Sequence, residues 1–475
     1  MTGWMVSLPR SSRRPEPTTP GARIDGYAPI AEYAAIGDGR TIALVARDGS
    51  IDWMPVPELH RTAAFDALLD APSGGRFELH PVEPFRVARR YVPDTNVLET
   101  EFETSSGRCR VTDALNHPAP TGLPWIELAR RVEGLSGTVR MTWSFRPRFD
   151  LGRAPMTMQA FGDVTMFDGD DVSVAFLTFD AGEERRSENG IDGAFDVASG
   201  ESALLAMLGR RAAPISIPAR DEIERRIGYT IDHWQRWTSE IEYEGPWRGD
   251  VVRSGLVLAI LTLDRTSALI AAGTTSLPES IGGDANWDYR FAWMRDSTFA
   301  MEAILAVGMR QEADAWLGFL MRTLAKSPKK LEPLYTLEGE TPEDEHLLDL
   351  PGYRGSTPVR LGNKAGGQLQ LGTYGDLFDS VWKFVRAGGR LDPATRELLA
   401  DTASQAARLW RSKDSGIWEL RERTRHYTSS KIGCWTAMSR AIDLAKEGHL
   451  PDRDVTRWER ARGKIREFIE ARCWN

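Results

Sequence analysis

Two Asp, two Arg, two Trp and a Tyr fall within eleven residues, Asn286-Trp287-Asp288-Tyr289-Arg290-Phe291-Ala292-Trp293-Met294-Arg295-Asp296. They come just after the loop Ser276-Leu277-Pro278-Glu279-Ser280-Ile281-Gly282-Gly283. This mixture suits the binding of a sugar. Aromatic rings cover the apolar faces of the sugar ring, and paired guanidinium and carboxylate groups hydrogen-bond its hydroxyls in fixed directions. The same residues also have plainer uses. Asp296 precedes Ser297-Thr298-Phe299-Ala300-Met301 and could cap a helix N-terminus, while Arg290 and Arg295 could close structural ion pairs. Capping and hydroxyl binding are compatible, since a carboxylate has two oxygens and several lone pairs.

The composition narrows the chemistry around that block. A formal charge of −8 argues against general nucleic-acid binding, which needs a basic surface. Hydrophobic content of 41% with 27% charged residues describes a globular chain able to bury large cores, and 475 residues suggest two or three domains. Sixteen Trp fit large aromatic cores and carbohydrate stacking equally. Cys109, Cys434 and Cys473 are odd in number and far apart, so no disulfide framework or zinc spacing emerges. None of the seven His residues stands at metal-ligand spacing from another. Gly362-Asn363-Lys364-Ala365-Gly366-Gly367 lacks the Gly-Lys-Ser/Thr ending of a phosphate loop. No segment reaches the roughly 18 consecutive apolar residues of a membrane span, and the Arg- and Pro-rich start has no signal-peptide core, so a cytoplasmic location is the default expectation.

The elements that must position the block divide into β and then α. Residues 1–23 read as a disordered tail. Residues 24–217 carry short runs with period two separated by turn residues, the pattern of an antiparallel β-sandwich. Thr41 to Ala46 and Ile51 to Val56 flank Asp48-Gly49, a hairpin signal. Residues 218–246 read as a charged helical linker with Trp234 and Trp237. From 247 the period becomes helical, with helices expected over 250–263 and near 297–307, 311–326, 373–387, 392–412, 428–447 and 453–473. The long loops 273–295, 330–372 and 413–427 lie between them, and loops of that length usually serve a function.

Four motifs, in order, carry a family resemblance. Ile36-Gly37-Asp38-Gly39-Arg40-Thr41 with Val45 to Trp53 resembles a trehalase-like N-terminal domain. The Ser276–Asp296 block resembles the signature of glycoside hydrolase family 15, the glucoamylase and bacterial trehalase-like family. Gly352-Tyr353-Arg354-Gly355-Ser356-Thr357-Pro358-Val359-Arg360 with Gly362-Asn363 and Gln368-Leu369-Gln370 is similar to that family's central loop, and Asp414-Ser415-Gly416-Ile417-Trp418-Glu419 to its acid segment. The resemblance covers nearly the whole chain. It implies a multi-domain β + α architecture, an N-terminal β-sandwich followed by an (α/α)6 six-hairpin toroid over residues 247–475, with about seven of its twelve helices present here.

Site roles follow from the same resemblance. Glu419 is the expected general acid; Ile417 and Trp418 would partly desolvate it, keeping it protonated for donation to the glycosidic oxygen. Arg295 and Asp296, with Trp293 beside them, are expected to grip the terminal glucose. Trp287, Asp288, Arg290 and Trp418 complete the expected substrate-binding set, together with Tyr335 and Arg354, and Glu332 is placed near the pocket wall. Trp435 reads as core by its apolar neighbours.

The resemblance also exposes a gap. Inverting hydrolysis needs a second carboxylate as general base, roughly 6.5–9.5 Å from the acid. In the family that base lies well over a hundred residues beyond the acid, and only 56 residues follow Glu419. The expectation is therefore a C-terminally truncated barrel whose exposed apolar flanks favour association with further copies. The expected activity is inverting hydrolysis of α-glucosidic bonds, in trehalose or short α-glucans, with no cofactor, no metal, no nucleic acid and no membrane involved. The alternative is an inactive carbohydrate-binding remnant or fragment of such an enzyme.

Overall fold

A computed structural model describes residues 17–118, 122–211, 213–326, 330–342, 344–421 and 423–473. Residues 1–16 of the expected disordered tail lie outside that description. The remainder of the tail is tied down, which corrects the expectation for residues 17–23. Thr18 bridges Val87 through backbone hydrogen bonds in both directions, and Arg23 bonds the carboxylates of Asp48 and Asp52.

Two compact units divide the chain. The first comprises the described residues up to Asp38, Ala43–Pro57 and Thr62–Gln235, and is built on a fifteen-stranded sheet. The hairpin at Asp48-Gly49 forms, with Leu44 opposite Trp53. Gly49 has φ of 92°, and a Cβ there would lie 2.2 Å from the carbonyl oxygen of Leu79, so the turn admits no side chain. The strand Ile126–Arg146 organises the rest of the sheet. Its first half pairs antiparallel with Gly107–Leu115 and Ser202–Arg211, and its second half with Arg76–Pro81 and Gly190–Ala198. Val139, Met141, Trp143 and Phe145 recur with period two in that second half and are all buried. They join a core in which Phe145 packs on Phe77 and Phe176, with ring centroids 5.3 and 4.2 Å apart.

Helix α1 (Arg220–Ser239) supplies the helix expected between the two patterns. Its Ile223 and Ile227 pack against Ala175, Leu177 and Leu204. Arg226 makes two 2.7 Å bonds to the fully buried Glu127, fixing the helix on the sheet.

The second unit comprises Gly39–Ile42, Glu58–Arg61 and the chain from Arg236 onward. It holds α2 (Arg248–Ile260), α3 (Met294–Ala306), α4 (Arg310–Lys326), α5 (Gly372–Arg386), α6 (Pro393–Leu409), α7 (Thr428–Lys446) and α8 (Val455–Arg472). These lie within a few residues of the helices read from the period. Helix α5 packs between α3 and α7; α4 backs α3, and α8 backs α7. The contact of α5 with α7 is close because both carry glycine there: a Cβ on Gly375 would lie 2.6 Å from the Cα of Gly433. Among the described residues, no helix is long and apolar enough to cross a membrane.

Candidate active site

The site grows from the loops between these helices. Strands Thr275–Pro278 and Asn286–Asp288 pair antiparallel, Ala292–Trp293 pairs with Leu334–Tyr335, and His346–Leu348 pairs with Val359–Leu361. Side chains then bind the loops to one another. The hydroxyls of Thr275 and Ser276 donate to the Arg360 carbonyl, and Ser276 Oγ accepts from the Arg360 N–H. Asp288 receives Arg290 in a two-pronged ion pair at 2.9 and 2.8 Å and also accepts from Gly362 N–H. Both partners are almost wholly buried.

The loop of Glu419 is held from beneath. Asp414 is fully buried and accepts from Leu371 N–H and Ser430 Oγ, while its backbone pairs in both directions with Arg425. Lys431, equally buried, donates to the carbonyls of Trp410 and Ser412 at 2.6 and 2.7 Å, which satisfies the end of α6. Above this base the loop opens to solvent: Ile417 is 48% exposed and Trp418 82%. Glu419 is half-buried, and its backbone stands in the left-handed region at φ 55°.

The two loops meet in a cavity of about 490 Å3 lined by Glu279, Trp287, Tyr289, Trp293, Arg295, Asp296 and Trp418 to Arg421, among others. Trp293 Nε1 donates to Glu419 Oε1 at 2.8 Å. Arg295 donates to Asp296 at 3.1 Å and to the Ile417 carbonyl at 3.4 Å. Burial, reinforced by the charges of Glu279, Glu419 and Asp296, pushes the Tyr289 phenol above its ordinary value against the opposing Arg295. Tyr289 and these three carboxylates line the same cavity. A carboxylate, aromatic rings and an Arg-Asp pair stand together in this cavity.

Residues 257–475 match the family model described as Glycosyl hydrolases family 15, and residues 24–179 match the one described as Trehalase-like, N-terminal. The Trehalase of Thermoplasma volcanium is 31% identical over 451 residues, covering 94% of this chain and 71% of the relative. The chain belongs to glycosyl hydrolase family 15. The Trehalase of Mycolicibacterium smegmatis is 33% identical, with 88% of this chain and 66% of that relative covered. That of Mycobacterium tuberculosis is 32% identical, covering 88% and 65%.

Within this family 15 chain, the expected site residues separate into two groups. Trp287, Trp293, Arg295, Asp296, Trp418 and Glu419 line the cavity. Asp288, Arg290, Tyr335 and Arg354 are not among its lining residues. Asp288 and Arg290 are spent on each other, and Tyr335 is fully buried with its hydroxyl accepting from Glu332 N–H. Arg354 occupies a tight turn at φ 52°. Glu332 is paired with Lys330 at 2.8 Å.

Three further expectations need correction. Asp296 is not a cap: α3 begins at Met294, so Asp296 lies in its first turn, where a negative charge meets the positive end of the helix dipole. Ile417 and Trp418 line the cavity but are themselves largely exposed, and Glu419 is only half-buried. Trp435 is 37% exposed on α7 and is not core.

Trp287 lines the cavity but is already engaged. The guanidiniums of Arg360 and Arg421 each lie 4.3 Å from its ring centre, and both bind Glu345. Burial pushes the Glu345 carboxyl up, but Arg421 and Arg360 outweigh it and hold it below the ordinary range. Sequence reasoning missed Glu279 and Gln368 as cavity residues, although both stand inside motifs already singled out.

One group among the described residues, Glu58, His60 and Glu338, brings possible metal-ligand atoms within 4.8 Å of one another. A guanidinium already serves both carboxylates, since Arg265 bonds Glu58 at 2.6 and 2.8 Å and Glu338 at 2.6 Å. A metal ion there would have to displace it.

Proposed function

We propose that this chain is a glycosidase that cleaves α-glucosidic bonds from the non-reducing glucose, with a trehalose-type disaccharide as substrate. Glu419 protonates the leaving oxygen, Arg295 and Asp296 hold hydroxyls of the terminal glucose, and Trp293 both orients the acid and presents its ring to the sugar. The observation that carries this reading is the 2.8 Å bond from Trp293 to Glu419. It brings two motifs 126 positions apart into a single cavity. Three relatives named trehalase favour trehalose over maltose or isomaltose.

An inverting course follows from the family resemblance: water attacks the face opposite the leaving group while a second carboxylate takes its proton. That carboxylate belongs, by the same resemblance, to the later part of the barrel. Asp296, though in the cavity, is tied by Arg295 and serves the sugar. The chain spans about two thirds of the length of these relatives, and the alternative reading is sugar binding without turnover. Glucose release from trehalose, maltose and isomaltose separates the two. The enzyme reading expects trehalose to be hydrolysed best, with at least a hundredfold loss in Glu419→Gln, the scale of general acid catalysis. Turnover that survives in Glu419→Gln removes the acid assignment. Saturable binding with no release of glucose establishes the second reading.

A further inference from the structure

Glu419 sits in a backbone conformation that residues bearing a Cβ disfavour, at φ 55°. Packing does not hold it there, since Trp418 and Leu420 on either side are 82% and 43% exposed. Two backbone bonds close the turn, Glu419 N–H to the Gly416 carbonyl at 3.3 Å and Leu420 N–H to the Ser415 carbonyl at 3.4 Å, and two side-chain donors add to them. Trp293 takes the carboxylate, and Gln368 Nε2 donates to the main-chain oxygen of Glu419 at 3.0 Å. Gln368 is itself anchored: its Oε1 accepts from Gln370 Nε2 at 3.1 Å, and Gln370 is buried. The same short segment is laced to the base of the acid loop. Ser415 N–H donates to the Leu369 carbonyl at 2.9 Å, and Leu371 N–H to Asp414 at 3.0 Å.

We infer that Gln368 is a positioning residue for the acid. It acts on the main chain of Glu419, fixing the carbonyl so that the left-handed conformation persists and the carboxylate stays against Trp293. The inference rests on Glu419 being the acid of the proposed reaction. Without the donor, only the two long backbone bonds of 3.3 and 3.4 Å oppose a return to the broad allowed regions at negative φ. That rotation redirects Cβ and carries the carboxylate off the Trp293 indole. Strained residues at active sites persist only where surrounding groups over-determine them, and here the determining groups are named.

The test uses the full 15N-labelled chain and the indole N–H resonance of Trp293, assigned by its loss in Trp293→Phe. In the wild type, Glu419→Gln shifts this resonance, because the bond partner changes. In Gln368→Leu, which keeps the bulk and removes the donor, the resonance is expected to move from its wild-type position and to ignore Glu419→Gln. Trehalose hydrolysis by Gln368→Leu is expected to fall at least tenfold in kcat with KM little changed. Gln368→Ser provides the same comparison should the Leu variant fail to fold. A Trp293 resonance in both Gln368 variants that matches wild type and still answers to Glu419→Gln overturns the inference, whether or not the chain turns over substrate. Survival of hydrolysis in Glu419→Gln would instead overturn the acid assignment, so the two failures are distinct.

Discussion

The loop of residues 276–296 and the loop of residues 414–421 meet at one hydrogen bond, yet they are built in opposite ways. The first directs much of its polarity inward. Asp288, Arg290, Asn286 and Ser276 are buried, and each is bonded to its own loop or to the segment around Arg360 and Gly362. The second is buried only at its root, by Asp414 and Lys431, and its outer part, with exposed neighbours and Glu419 at positive φ, is held by bonds from Trp293, Gln368 and Arg295. A densely bonded wall thus faces a short segment that carries Glu419 at positive φ. The side-chain bonds to Glu419 come from outside its own loop, from Trp293 of the wall and from Gln368 of the segment after Gly367.

The largest effect that would break this contrast is on the wall. Asp288→Ala leaves the Arg290 guanidinium buried without its counter-charge, and an expected loss of about 3–5 kcal/mol follows. Urea unfolding reads it; a loss below about 1 kcal/mol would mean that the pair is not what makes the wall rigid.

A second effect concerns Asp376 on α5, which lines a neighbouring cavity of about 550 Å3 that also includes Arg295 and Ile417. Burial pushes its carboxyl up to about 6, with Arg295 opposing and Asp379 and Asp296 adding to the rise. Because the folded chain holds this proton more tightly than the unfolded chain, the stabilisation is present at low pH. It is lost as pH rises from the ordinary carboxylate range through about 6. Asp376→Asn is therefore expected to be about 2 kcal/mol more stable than wild type at pH 7.5 and equal to it near pH 4. Equal stabilities at both pH values would remove the effect.

The smallest effect has the opposite sign to the first. Glu419→Gly relieves the left-handed strain and is expected to raise stability by up to about 1 kcal/mol, whereas a glycine at Asp288 would destabilise. A lower thermal midpoint for Glu419→Gly would show that the acid loop is not strained in the folded chain.

The sequence made some of this legible and hid the rest for physical reasons. Helices emerged within a few residues because their period and signals are local: Asp392 before Pro393 does cap α6, accepting from the N–H groups of Ala394 and Thr395. The cluster of Trp, Arg and Asp rightly marked the neighbourhood of the cavity. It did not tell inward from outward. In the strand Asn286–Asp288 alternation turns Asn286 and Asp288 inward and leaves Trp287 partly exposed, and besides the neighbouring Arg290 the partners of Asp288, Gly362 and Asn363, lie 74 and 75 positions away. Composition could not show those partners. The same holds for Gln368, whose role depends on a bond to a residue 51 positions later. The strain at Glu419 left no mark either, because the position that usually signals such a turn, Gly416, stands three residues earlier.

The most direct measurement is titration of trehalose into the 15N-labelled chain while following the Trp293 indole resonance, for wild type and Arg295→Ala. If the two loops form one sugar-binding cavity, the resonance shifts saturably in wild type, and Arg295→Ala weakens the apparent affinity at least tenfold. A Trp293 resonance that does not move at saturating trehalose, or an affinity unchanged by Arg295→Ala, would contradict the assignment of this cavity to the substrate.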